Sequence, residues 1–264
     1  MNYLLQESLN LAIRWFHVFA GILWIGQTWY FTWLDRRLSD PDEKGEVWMV
    51  HSGGFYVVKK QSSPEGTRSL HWFRWEAALT WISGLLLLIL VYYMGGVLID
   101  PEESKVSFAV AATIGLALLP AGWLIYDGLW ISPLGRHPWL GSVISFLLIV
   151  ATAYGLTRIL SGRAAYLHVG AILGTIMAAN VWMRILPAQR KLIAAAREGK
   201  EPDQALAASA KDRSKHNTFM VVPVVFIMIS NHFPTATYGR DLNWLILGGL
   251  VLLGWGAAAI LRRH

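Results

Sequence analysis

The sequence predicts an all-α fold: a polytopic integral membrane helix bundle of about seven transmembrane helices, in a single membrane domain over residues 1–264. Three observations carry this. The chain is 55% hydrophobic with 14 tryptophans, too apolar for an ordinary soluble domain of 264 residues. Apolar runs of membrane-spanning length recur with few charges inside them. The net charge of +6 is gathered in the connections between those runs, where its placement sets orientation.

The spans are expected at about 9–33, 75–98, 106–126, 139–156, 164–186, 216–233 and 242–261. The first apolar segment is read as a retained helix, because MNYLLQES lacks the basic region of a secretory signal. It carries His17, with Gly21, Trp24 and Thr28 on the same face by three-to-four residue spacing. A glycine one turn from a histidine leaves room for something flat and large, or simply for a packed helix. The connection from Asp35 to Arg74 is polar. In it, His51 followed by Gly53 and Gly54 predicts a tight turn near a surface or a ligand. His71 and Glu76 stand at the start of the second span, where a carboxylate needs a partner or water. The third span is expected to bend at Pro120 and to end before a turn at Asp127.

The fifth span places His168 near its start and Asn180 and Arg184 on one face near its far end. Residues 187–215 are basic and alanine-rich and read as short surface helices, one starting at Pro202. The sixth span, HNTFMVVPVVFIMISNH, opens with His216 and Asn217 and closes with Asn231 and His232. As a helix it rises about 24 Å between the two histidines, close to the ~30 Å hydrocarbon core of a bilayer. It therefore presents a histidine near each membrane face.

Seven spans put the termini on opposite sides. Of the 23 Lys and Arg residues, 18 fall on one side and five on the other. The crowded side is expected in the cytoplasm, so the N-terminus is periplasmic and the C-terminus cytoplasmic in a bacterial inner membrane. This sorts the histidines into two groups. His17, His168 and His232 lie toward the outer face, and two of the three are suitable axial ligands for a b-type haem. The alternative is three interfacial histidines that never meet. His51, His71 and His216 lie toward the inner face with Glu76, Asp127, Asn180, Arg184 and Asn217. That mixture suits a planar anion, with arginine as a forked donor and histidine or carboxylate moving protons. The alternative there is a network that holds helix ends together. His137 and His264 are assigned no role, and no nucleic-acid partner is expected.

Several long motifs then point to a family. WFHVFAGILWIG around His17, VHSGGFYVVKKQ around His51, LHWFRWEAALTWISG around His71, YDGLWISPLG around Asp127 and RSKHNTFMVVPVVFIMISNHFP around His216 resemble the membrane domain of bacterial membrane-bound urate oxidases (urate hydroxylases). The resemblance covers nearly the whole chain. It implies a purine-catabolic enzyme that oxidises urate to 5-hydroxyisourate and passes electrons through haem to a cytochrome c. On that reading His71, Glu76 and His216 are catalytic, and Arg184, Asn180, Asn217 and His51 bind substrate. Relatives typically continue into a cytochrome c domain. This sequence has no cysteine and stops after the last span, so the acceptor is expected to be a separate cytochrome c or other redox subunit. The competing readings are a non-catalytic haem-binding or structural subunit of a larger membrane redox complex, and a purine transporter. The transporter lacks the paired broken helices that would recommend it.

Overall fold

The computed structural model describes residues 3–61, 69–102 and 104–263; Arg68, one of the 18 basic residues above, and His264 lie outside the described residues. The chain is an all-α bundle. α1 (Tyr3–Arg37) is followed by an antiparallel hairpin of β1 (Glu46–His51) and β2 (Gly54–Lys59). α2 (Trp75–Leu88) closes in a π turn at Ile89–Tyr93. α3 (Phe108–Ile131) and α4 (Pro138–Thr157) follow. α5 (Gly162–Ala179) runs through a π segment, Asn180–Ile185, directly into α6 (Leu186–Arg197). α7 (Gln204–Ile229) and α8 (Asn243–Leu261) complete the described elements.

Six of these stretches are long and apolar enough to cross a membrane: Tyr3–Arg37, Trp75–Tyr93, Phe108–Ile131, Pro138–Thr157, Gly162–Arg197 and Asn243–Leu261. α7 differs from them because its first half carries Lys211, Asp212, Arg213 and Lys215, and its apolar run begins only at Phe219.

Local chemistry explains where the helices begin and end. Ser107, Ser161 and Asp203 cap α3, α5 and α7 by accepting the backbone N–H groups of Val110, Ala164 and Leu206. The cap at Asp203 starts α7 at Gln204, so Pro202 lies outside the helix and residue 216 lies three turns inside it. α3 does not stop before Asp127. It runs on to Ile131 and ends where Ser132 precedes Pro133, so Asp127 is a buried helical residue and not part of a turn. The fifth span likewise does not stop at Pro187. Proline lacks the N–H of a regular helix and its ring crowds the preceding turn. The wider π turn at Asn180–Ile185 lies immediately before it and lets the helix continue.

α5 is the central helix and packs against α2, α3, α4 and α7. Its buried side chains include Tyr166, His168 and Asn180. α1 is the reverse, with Trp15, Phe19, Ile22 and Leu23 exposed along its length. In a bilayer those side chains already have an apolar solvent, so no hydrophobic force drives them inward. Close approach of small residues then does more of the work. Gly170 meets Ile227, Gly122 meets Ile172, and Gly254 of α8 lies against Pro223 of α7.

The last contact yields a test of the packing. A Cβ at Gly254 would lie 2.7 Å from Cδ and 2.8 Å from N of Pro223, a rigid ring that cannot swing aside. Gly254→Ala should therefore destabilise the bundle by about 1–3 kcal/mol. Gly256→Ala, on the same helix with nothing within 4 Å of the added carbon, should be nearly silent. Thermal unfolding of both variants in detergent checks the contrast.

Candidate functional site

The basic end of the bundle holds a buried polar network built from three helices. Asp127 of α3 is 5% exposed and accepts from two arginines. Arg184 forks onto it, with Nε 2.9 Å from Oδ1 and Nη2 paired with Oδ2. Arg213 of α7, 4% exposed, puts Nη2 3.0 Å from Oδ1 and lies over the Tyr126 ring at 5.0 Å. Two guanidinium groups on one carboxylate leave the cluster positive. Arg213 Nη1 and Asn180 Oδ1 are buried without partners among the described residues.

A hydrogen-bond chain runs through the same residues, and a backbone carbonyl orients its two amides. Asn217 Nδ2 lies 2.9 Å from the Met177 carbonyl, which can only accept. Asn217 Oδ1 is then the acceptor for Asn180 Nδ2 at 3.0 Å. The same amide nitrogen of Asn180 donates to the Tyr126 hydroxyl at 3.0 Å. Tyr126 Oη and His216 Nδ1 are 2.7 Å apart. With the phenol donating to Nδ1, neutral His216 carries its proton on Nε2; with Nδ1–H donating to the phenol oxygen, Nε2 is an acceptor.

Above this network lies a cavity of ≈ 350 Å³ between α3, α4, α5 and α7, closed on one side by Trp255 of α8. Its walls are mainly aliphatic, and its polar groups include Tyr126, Trp130, Ser142, Ser145, Lys215 and His216. The Trp130 and His216 rings lie 4.1 Å apart. Trp130 Nε1 and Ser145 Oγ are buried with no partner among the described residues. The size suits a small molecule, and apolar walls with a few convergent polar groups are the usual make-up of a ligand site.

Of the residues expected at the inner face, Asp127, Asn180, Arg184, His216 and Asn217 do come together. Arg184 is turned onto Asp127 and does not line the cavity. The other three stand apart. His51 is exposed at the turn of the β hairpin. His71 is exposed beside the Phe73 ring at 4.5 Å. Glu76 lies in the first turn of α2 with a buried Oε2 that has no partner among the described residues. The reason is the π segment after α5. It presents Asn180 and Arg184 to α3 and α7, whereas Val181 and Leu186 pack against Ala77 of α2, on the side where Glu76 begins. Sequence reasoning missed Tyr126, Trp130 and Arg213 as site residues. Arg213 was legible, because it stands three residues before His216 and four before Asn217, but only once α7 is known to start at Gln204.

The outer histidines take three separate positions. His17 Nδ1 lies 3.0 Å from both the Thr80 carbonyl and Ser83 Oγ, and its ring packs on Gly84. A Cβ at Gly21 would meet only the Thr80 methyl, at 3.9 Å. His168, fully buried, bonds through Nδ1 to the Ala164 carbonyl and through Nε2 to the Tyr93 hydroxyl. His232 is exposed at the end of α7. A backbone carbonyl on Nδ1 is the usual way a metal-ligating histidine is oriented. His17 meets α2 at Ser83, and His168 meets the π turn that follows it at Tyr93, ten residues further along the chain.

Residues 3–263 match a family model described as urate oxidase N-terminal. No curated protein and no solved structure gives a significant match.

The ion cluster makes an asymmetric prediction. Asp127→Ala strips Arg213 of its counter-ion in a buried setting and should cost about 3–5 kcal/mol of stability. Arg184→Ala leaves Asp127 paired with Arg213 and removes a side chain that is 39% exposed, so about 0–1 kcal/mol is expected. Unfolding in detergent, followed by near-ultraviolet circular dichroism, separates the two.

Proposed function

The chain belongs to the urate oxidase N-terminal family, and from that membership, together with the unpartnered donors of the cavity, we propose that it binds urate there and oxidises it to 5-hydroxyisourate. A urate-related function holds at the level of the family, and the apolar helices are those of a membrane protein. The observation that carries the finer reading is the pattern of donors. Trp130 Nε1–H, Ser145 Oγ–H and, with the Tyr126 phenol donating to Nδ1, His216 Nε2–H border a largely apolar space. Urate is planar, anionic and rich in carbonyl oxygens, so it supplies the acceptors these groups lack.

The reaction joins urate and water to give 5-hydroxyisourate, two protons and two electrons. The water oxygen bonds to C5 of the purine, and the electron pair leaves to an acceptor. In this chain Trp130 offers a face for the purine ring. His216 Nε2–H steadies negative charge on a ring carbonyl, and Tyr126 keeps that tautomer in place. Arg213, Arg184 and Lys215 against Asp127 supply the positive field that favours an anion at this end. Arg184 therefore acts through Asp127, as a positioning residue. His71, Glu76 and His51 have no part in this reading.

Haem b held by two of His17, His168 and His232 would relay the electrons, and no step is routed through it. The electrons are assigned to a separate acceptor, a cytochrome c or other redox subunit. The partition of basic residues supports placement in a bacterial cytoplasmic membrane, with the Arg184 end inward and the N-terminus outside.

Purified protein with urate and added cytochrome c should lose the ultraviolet absorbance of urate as the cytochrome is reduced. His216→Phe keeps a ring but removes the donor, and should lower kcat/KM at least about 100-fold, the size of effect seen when one preorganised donor is lost. Tyr126→Phe should lower it less, because only the tautomer is freed. Unchanged kinetics in His216→Phe would move the site elsewhere. Turnover absent from the purified chain, with the chain recovered only in a larger assembly, would favour a non-catalytic subunit.

A further inference from the structure

The hairpin that carries His51 takes no part in the cavity, yet its shape is specific. In its register Trp48 pairs with Val57, Val50 with Phe55, and Glu46 with Lys59. Side chains alternate between faces along a strand, so these six share one face. The opposite face carries Val47, Met49 and Val58 and is held to the protein. Val47 is buried, the Tyr30 hydroxyl of α1 reaches Met49 Sδ at 3.4 Å, and Lys60 pairs with Asp35 near the end of α1. The outer face is bare: Phe55 is 81% exposed, Val50 69%, Trp48 66% and Val57 42%. Alternation next to water puts polar side chains outward. Here the apolar ones point outward toward the hairpin tip, and the Glu46–Lys59 ion pair closes the base.

The surroundings say what covers this face. At the level where Tyr30 touches the hairpin, α1 also exposes Tyr30, Phe31 and Trp33, about one to two turns before its charged end at Arg36 and Arg37. Phe73 and Trp75, at the start of α2, are exposed beside them, and the Phe31 and Phe73 rings meet at 5.0 Å. A belt of aromatics between apolar spans and charged ends is the composition of a bilayer interface. The hairpin continues that belt sideways. Its seating is apolar and not ionic, because five acidic and five basic residues cancel between Asp35 and Lys60.

We propose that the outer face of the hairpin, Trp48, Val50, Phe55 and Val57, lies in the headgroup–acyl boundary of the bilayer as an interfacial anchor. This holds whatever the cavity binds. The absence of cysteine from the chain makes the test clean. Single variants Phe55→Cys, Val50→Cys and Lys44→Cys are spin-labelled in the full chain and reconstituted into zwitterionic phosphatidylcholine vesicles. Labels at 55 and 50 should collide severalfold more with oxygen, which concentrates in the acyl region, than with a water-soluble nickel chelate. The label at 44, an exposed lysine at the hairpin base, should show the reverse. Nickel access at 55 and 50 would mean the face looks into water. Exclusion of both reagents would mean protein covers it. Either result overturns the proposal, and neither bears on urate turnover.

Discussion

The Met177 carbonyl is a small group on which much depends. A carbonyl oxygen can only accept, so the amide of Asn217 must turn its nitrogen toward it. That choice carries to Asn180, whose amide nitrogen donates to the Tyr126 hydroxyl, and the hydroxyl meets the imidazole of His216. The network thereby ties a feature of the backbone of α5 to a ring on the wall of a cavity. Buried polar chains of this kind are costly when half-satisfied and rigid when complete. The two atoms left over, Asn180 Oδ1 and Arg213 Nη1, sit where the chain meets the ion cluster.

A membrane setting makes that economy necessary. Apolar side chains gain little by leaving lipid, so the bundle is held by close packing and by polar contacts inside it. α5 illustrates both. It is walled on four sides by other helices, its glycines and alanines let them approach, and its few polar side chains are all engaged with neighbours. The π segment that follows is the point where geometry and chemistry meet. Wide turns of this type recur at functional sites. Here the turn accommodates Pro187 and sends Asn180 and Arg184 toward α3 and α7.

The ion cluster and the cavity divide the work between them. Asp127 is shared by an arginine that reaches solvent and one that does not. The shared carboxylate keeps Arg213 buried beneath Tyr126, and Tyr126 in turn faces the cavity. Positive charge is thereby stored directly behind the hydrogen-bonding end of an apolar pocket, where solvent screening is weak. On the proposed reading, a purine anion would be drawn to that end without any arginine standing in the pocket itself. This is why the arginine that spacing singled out as a substrate ligand is found one step removed, gripping a carboxylate.

Composition and periodicity alone determined the all-α membrane class and the shared face of Asn180 and Arg184. These follow from local rules: apolar length, charge placement and the 3.6-residue repeat. The YDGLW and SKHNT motifs also marked two of the strands of residues that converge. What the sequence did not reveal depended on how helices continue and rotate. Capping at Asp203 extends α7 by three turns and places Arg213 on the same helix as His216, three residues before it. A π turn rotates Val181 toward α2, leaving His71 and Glu76 outside the cluster. Of the outer histidines, His17 meets α2 at Ser83 and His168 meets the π turn after it at Tyr93. Those outcomes are set by contacts between helices far apart in the chain, which no local pattern encodes.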